Sequence, residues 1–182
     1  MPVLALEMIT PAMAQRAILK RLVISFHDLT EARQFLNKLL GLNAEAPPAA
    51  GDTLVRKALE TALVVSYARP FSGNRGAPDV TRDMPDELLS DLTPEQRRVH
   101  DHIVELRNKE FAHSDAERSD VNVFVGRWAD GRPLASPVSN VTRAPLRIDE
   151  LRTLDTLFEH WHVQIYDEMR RIESGLTPGE SF

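Results

Sequence analysis

The sequence predicts a mainly α protein: an antiparallel helical bundle, in three or four long helices, with one small β-hairpin. Three observations predict it. Apolar residues recur at three- and four-residue spacing over most of the 182 residues. Thr93-Pro94-Glu95-Gln96 is a capping box with proline at the first helical position. A single alternating stretch, Val121-Asn122-Val123-Phe124-Val125, is followed by the turn signal Ala129-Asp130-Gly131-Arg132. The chain length predicts one domain over 1–182, and 42% hydrophobic with 27% charged residues suits a packed core.

The first helix is expected from Pro11, capped by Thr10, to Leu40. Ile18, Leu19, Leu22, Phe26, Leu29, Phe35, Leu36, Leu39 and Leu40 follow a helical period. Leu22 to Phe26 also has strand propensity, and Asp28 and Thr30 are residues that start helices. A break is therefore expected near Phe26–Thr30. Gly41 suits a left-handed helix end, and the paired prolines of residues 44–51 suit a linker.

Asp52 is expected to cap the next helix, whose broad apolar face suits a central position and which Pro70 ends near Arg69. Residues 71–83 read as a Gly/Pro loop, and Asp86 to Leu92 as a helical turn. The helix begun at Thr93 should reach about Ala112 with Val99, Ile103 and Leu106 inward. The hairpin is expected over 121–142, with the returning strand, Leu134 to Val141, placed at an edge by Pro137. Asp149 is expected to cap a final helix. Its seam is Leu151, Leu154, Phe158, Trp161, Ile165, Met169 and Ile172, with Gly175 as its stop and residues 176–182 as a frayed tail.

Charge narrows the function classes. With 22 Lys+Arg against 27 Asp+Glu the net charge is -5, which argues against a broad basic platform for nucleic acid or membrane. Residues 83–93 sum to -4 and 148–182 to -5, whereas 51–82 sum to +2 and 121–147 to +3. A polyanion would have to bind locally. Cysteine is absent, which excludes disulfides, thiolate metal centres and a thiol nucleophile, and fits a cytoplasmic setting. No secretory leader and no apolar run long enough to span a bilayer is read from the sequence, so no membrane association is expected.

The phosphate-binding glycine loops, the nucleophile elbow and the paired-histidine zinc motif are all missing. Six histidines remain. His100 and His102, like His160 and His162, are two residues apart and diverge by about 200° on a helix, which does not suit a shared metal. These four read as surface or aromatic-edge residues, and His27 as part of a capping region. No metal or cofactor is expected.

His113 has a different setting, in Glu105-Leu106-Arg107-Asn108-Lys109-Glu110-Phe111-Ala112-His113-Ser114-Asp115. Arginine holds a phosphate with two parallel hydrogen bonds, and histidine titrates near neutrality. Those groups suffice for metal-free RNA cleavage, in which the 2′-OH attacks the neighbouring phosphate, histidine moves protons and arginine stabilises developing charge. The competing reading is structural: Arg107 bridges to a carboxylate, Asn108 bonds a loop and His113 ends a helix.

This segment resembles the R-x4-6-H signature of the HEPN superfamily, in a form that looks like its abortive-infection branch: five residues separate Arg107 from His113, and the polar Asn108 follows the arginine. The resemblance implies an all-helical bundle, a homodimer with a composite cleft, RNA as substrate, and Arg107, Asn108 and His113 as the catalytic set. It also implies a toxin–antitoxin or phage-defence role with an antitoxin protein as partner, although some members are inactive binding modules.

Arg69, ending a central helix beside Tyr67 and Phe71, is a candidate second phosphate contact. Its competing role is a cation at a helix C-terminus. Arg127-Trp128 in the hairpin can stack on a base, or simply pack at the hairpin edge. Two further readings are a non-catalytic dimeric module that binds a nucleotide or partner protein, and a scaffold acting through the acidic final helix.

Overall fold

A computed structural model describes residues 11–44, 52–72, 80–111, 121–139 and 145–176. Four α-helices dominate: α1 (Pro11–Ala44), α2 (Asp52–Ala68), α3 (Pro94–Leu106) and α4 (Ile148–Glu173). A 3-10 turn (Arg69–Phe71) follows α2, a second (Asp86–Leu89) precedes α3, and a π turn (Arg107–Phe111) extends α3. The antiparallel hairpin pairs β1 (Val121–Arg127) with β2 (Pro133–Ser139), placing Val123 opposite Pro137 and Arg127 opposite Pro133. The fold is thus the helical bundle with a small hairpin that periodicity predicts.

α1 is one continuous helix, which corrects the expected break at Phe26–Thr30. Its buried stripe runs Leu19, Leu22, Ser25, Leu29, Ala32, Leu36 and Leu39 without a change of phase. Thr30 Oγ1 donates back to the carbonyl of Phe26 at 2.7 Å, so its hydroxyl is used inside the helix instead of starting a new one. His27 is accordingly an exposed mid-helix residue and not part of a cap. Gly41 is not the helix stop either: α1 continues to Ala44, and Gly41 is not in a left-handed conformation. Thr10 and most of the linker lie outside the described residues.

α2 folds back along α1, with Ser66 against Glu31 and Arg69 against Asp28. α4 runs antiparallel to α1, through Arg33 with Asp155 and Glu159 and through Phe26 with His162. It is also antiparallel to α3, through Gln96 with Thr156 and His102 near Glu150. The α4 seam is as predicted. Leu151, Leu154, Phe158, Trp161, Ile165 and Ile172 are buried with Leu157, and Met169 packs against them half-buried. These residues join Leu22, Leu36, Leu63, Val99 and Ile103 in one core.

The helix starts differ in how well the sequence marks them. At α3 the box is present in full: Gln96 N–H donates to Thr93 Oγ1 at 3.2 Å, and Thr93 N–H donates to Gln96 Oε1 at 3.0 Å. At α4 the expected Asp149 cap is corrected. Arg147 holds the cap position, and its N–H donates to Glu150 Oε2 at 3.0 Å. Asp149 lies in the first turn, paired with the Arg147 guanidinium at 2.7 Å. An arginine has no acceptor, so the carboxylate three residues on supplies the capping bond. β2 begins at Pro133 and ends at Ser139, slightly ahead of the expected span, and Gly131 takes the left-handed conformation (φ 85°) that closes the turn.

Candidate functional site

The π turn carries two of the three motif residues. A π turn adds a residue to the helical repeat, and such bulges are frequent at functional sites. Arg107 opens the turn half-buried, and its Nη1 donates to the Oδ1 of the exposed Asn108 at 3.0 Å. Arg107 has no carboxylate partner among the described residues. Lys109 is engaged differently, in an i,i+4 ion pair with Glu105 at 2.7 Å. His113, Ser114 and Asp115 lie outside the described residues.

Beside this turn is a cleft of about 440 Å³, a size common for small-ligand sites. Phe71, Met84 and His100 supply its apolar and aromatic lining, and Asn108 lies at the π-turn end. The charged lining is four carboxylates, Asp83, Asp86, Asp101 and Glu105, against one ammonium, Lys109, which is paired with Glu105. The acidic stretch 83–93 is brought here by backbone bonds. Met84 N–H donates to the carbonyl of Pro70 at 3.1 Å, Thr81 N–H donates to that of Ala17 at 3.4 Å, and the buried Arg21 donates to the carbonyl of Thr81 at 2.8 Å.

Beneath the cleft lies a polar chain within the aromatic core. Trp161 Nε1 donates to Tyr67 Oη at 3.2 Å, and Tyr67 Oη stands 3.0 Å from His100 Nδ1. Tyr67 and Trp161 are fully buried and His100 is 4% exposed. A tyrosine hydroxyl has one proton to give. With Trp161 donating to it, that buried proton is satisfied by His100 Nδ1, which leaves the His100 proton on Nε2. Phe71 meets the His100 ring edge-on at 4.6 Å. Burial pushes the His100 pKa down from 6.5 to about 4, so the ring is neutral at pH 7, and burial raises that of the Tyr67 hydroxyl.

Sequence reasoning placed His100 either at the surface or at an aromatic edge; the surface alternative is corrected by its burial, and its link to Tyr67 was not foreseen. The available signal was its position directly after Val99 and three residues before Ile103, within the apolar stripe of the helix. His102 points away, half-exposed and 3.9 Å from Glu150 Oε1. His160 lies against Trp161, and the exposed His162 against Phe26. Among the described residues no group of three His, Cys, Asp or Glu is placed to hold a metal ion.

Arg69 stands in the 3-10 turn after α2 and bridges to Asp28 Oδ1 at 3.1 Å and Glu31 Oε2 at 3.2 Å. Its neighbour Phe71 reaches the cleft, so this end of α2 does lie near the π turn. Trp128 is 55% exposed at the hairpin turn, where Arg127 Nη1 donates to the carbonyl of Gly131 at 3.1 Å. No described helix is long and apolar enough to cross a membrane. Compared with family models, curated proteins and solved structures, the chain matches none.

Proposed function

We propose that the chain is a HEPN-like, metal-independent endoribonuclease of a toxin–antitoxin or phage-defence system, acting in the cytoplasm as a homodimer. The observation that carries this reading is the π turn, which sets the Arg107 guanidinium against the Asn108 side chain, with no carboxylate partner among the described residues. In this reading Arg107 binds the scissile phosphate and stabilises the charge that develops as the 2′-OH attacks. Asn108 fixes the guanidinium through the 3.0 Å bond, and His113 transfers the protons. Arg69 is a second phosphate contact, reached by exchanging its bridges to Asp28 and Glu31.

Cleavage of RNA in EDTA, leaving cyclic-phosphate ends, is the expected result, with Arg107→Ala and His113→Ala each inactive and folded. Undiminished cleavage by His113→Ala rejects the assignment.

A second reading is a non-catalytic dimeric module for a nucleotide or a partner protein. The acidic lining beside Asn108 favours its partner-protein form, because carboxylates that repel an RNA phosphate chain from the cleft repel a nucleotide's phosphates as well. Unchanged RNA in the same assay, with the dimer intact, selects this reading. An antitoxin-like or scaffold role through the acidic final helix is disfavoured, because the apolar seam of α4 is packed inside the protomer.

A further inference from the structure

We propose that the cleft beside the π turn is a base-recognition subsite that takes an unstacked guanine. This rests on the ribonuclease reading and names the part of the RNA that the cleft would read.

The lining calls for a particular pattern of donors and acceptors. Nδ1 of His100 is occupied by the buried Tyr67, while its Nε2 has no partner among the described residues. The tautomer set by Trp161 and Tyr67 makes that Nε2–H a neutral donor on a side chain that is 4% exposed and lines the cleft. Asp101, the next residue, and Asp86 line the same cleft and have no partner among the described residues. The ligand must therefore accept one hydrogen bond from His100 and donate to a carboxylate. A simple organic cation donates but offers His100 no acceptor. With Lys109 paired to Glu105, the rim keeps an excess of three carboxylates, Asp83, Asp86 and Asp101, which disfavours an anion.

A nucleobase satisfies both demands, and guanine does so most fully. Its N1–H and N2–H groups are adjacent donors that match the two oxygens of one carboxylate, while O6 and N7 accept. Adenine and cytosine present only an amino group as donor on that edge, and uracil only one N–H. Phe71 supplies an aromatic surface for the ring. The same carboxylates keep phosphates out of the cleft. The base enters while the backbone stays on the side of Arg107, which is not part of the lining.

The test is to titrate the wild-type protein with the four nucleosides, which carry no phosphate, and to map cleavage sites in an RNA of mixed sequence. Guanosine should bind at least tenfold more tightly than adenosine, cytidine or uridine. Asp101→Asn should lose that preference with an unchanged melting temperature, and its cuts should spread over all four bases where the wild type cuts beside guanine. Equal binding of the nucleosides, or guanosine binding unaffected by Asp101→Asn, overturns the proposal even if RNA is still cleaved. Selective guanosine binding that depends on Asp101, without cleavage of any RNA, upholds the subsite and removes the nuclease.

Discussion

His100 is the residue whose environment is most sharply defined. It stays neutral because the ring is buried among Tyr67, Phe71 and Trp161, and its folded pKa falls to about 4. The unfolded chain takes up a proton near pH 6.5 that the folded chain refuses until about pH 4. The contribution is therefore fully present above pH 6.5 and is lost as pH falls toward 4, a difference of about 3 kcal/mol at its limit. His100→Gln, which keeps an acceptor for Tyr67, should flatten the fall in unfolding free energy across this window by about one proton's worth. Identical pH slopes for the two proteins reject a neutral buried His100. Tyr67→Phe tests the same chain from its middle. It removes the hydroxyl to which Trp161 Nε1 donates and leaves both that donor and His100 Nδ1 without their bonds. Each unpaired buried group costs about 1–3 kcal/mol, so urea unfolding should show a loss well above that of a surface change.

At the scale of elements, a helix start is legible where capping and periodicity agree. α3 begins where Thr93 and Gln96 exchange hydrogen bonds, and Thr93→Ala should cost about 1 kcal/mol in chemical denaturation. A loss below about 0.3 kcal/mol means that packing alone sets this helix start. The seam of α4 was legible from periodicity alone, since its 3- and 4-residue steps have one solution against a bundle even though the cap falls at Arg147 and not at Asp149. Three features were not legible. The continuity of α1 through Phe26–Thr30 depends on which neighbours bury Leu22 and Leu29, a tertiary fact that overrides local start signals. The π turn at Arg107–Phe111 has no local signature, although it shapes the surroundings of the motif. The cleft draws on Phe71, Asp83 and His100, which the sequence separates and the bonds at Pro70 and Thr81 bring together.

For the whole molecule, the balance of charge constrains how any RNA is held. The net charge is -5, and the cleft beside the π turn adds Asp83, Asp86, Asp101 and Glu105 to the local field. Long-range attraction cannot gather a polyanion here, so binding must rest on a few close contacts. In the proposed ribonuclease reading Arg107 supplies one such contact, and Arg69 a second only by giving up Asp28 and Glu31. For single strands the logarithm of the binding constant falls with that of salt by about 0.7 per phosphate neutralised. One or two contacts per protomer thus give a slope shallower than about -1.5 per protomer, far from that of a basic-groove protein. With a short RNA made non-cleavable by 2′-deoxy substitution at the scissile nucleotide, titration across salt should return that shallow slope. Arg107→Ala should reduce it by about 0.7 per protomer and weaken binding at every salt. A slope of about -4 or steeper, unaltered in Arg107→Ala, would place the RNA on another surface and detach the π turn from its recognition.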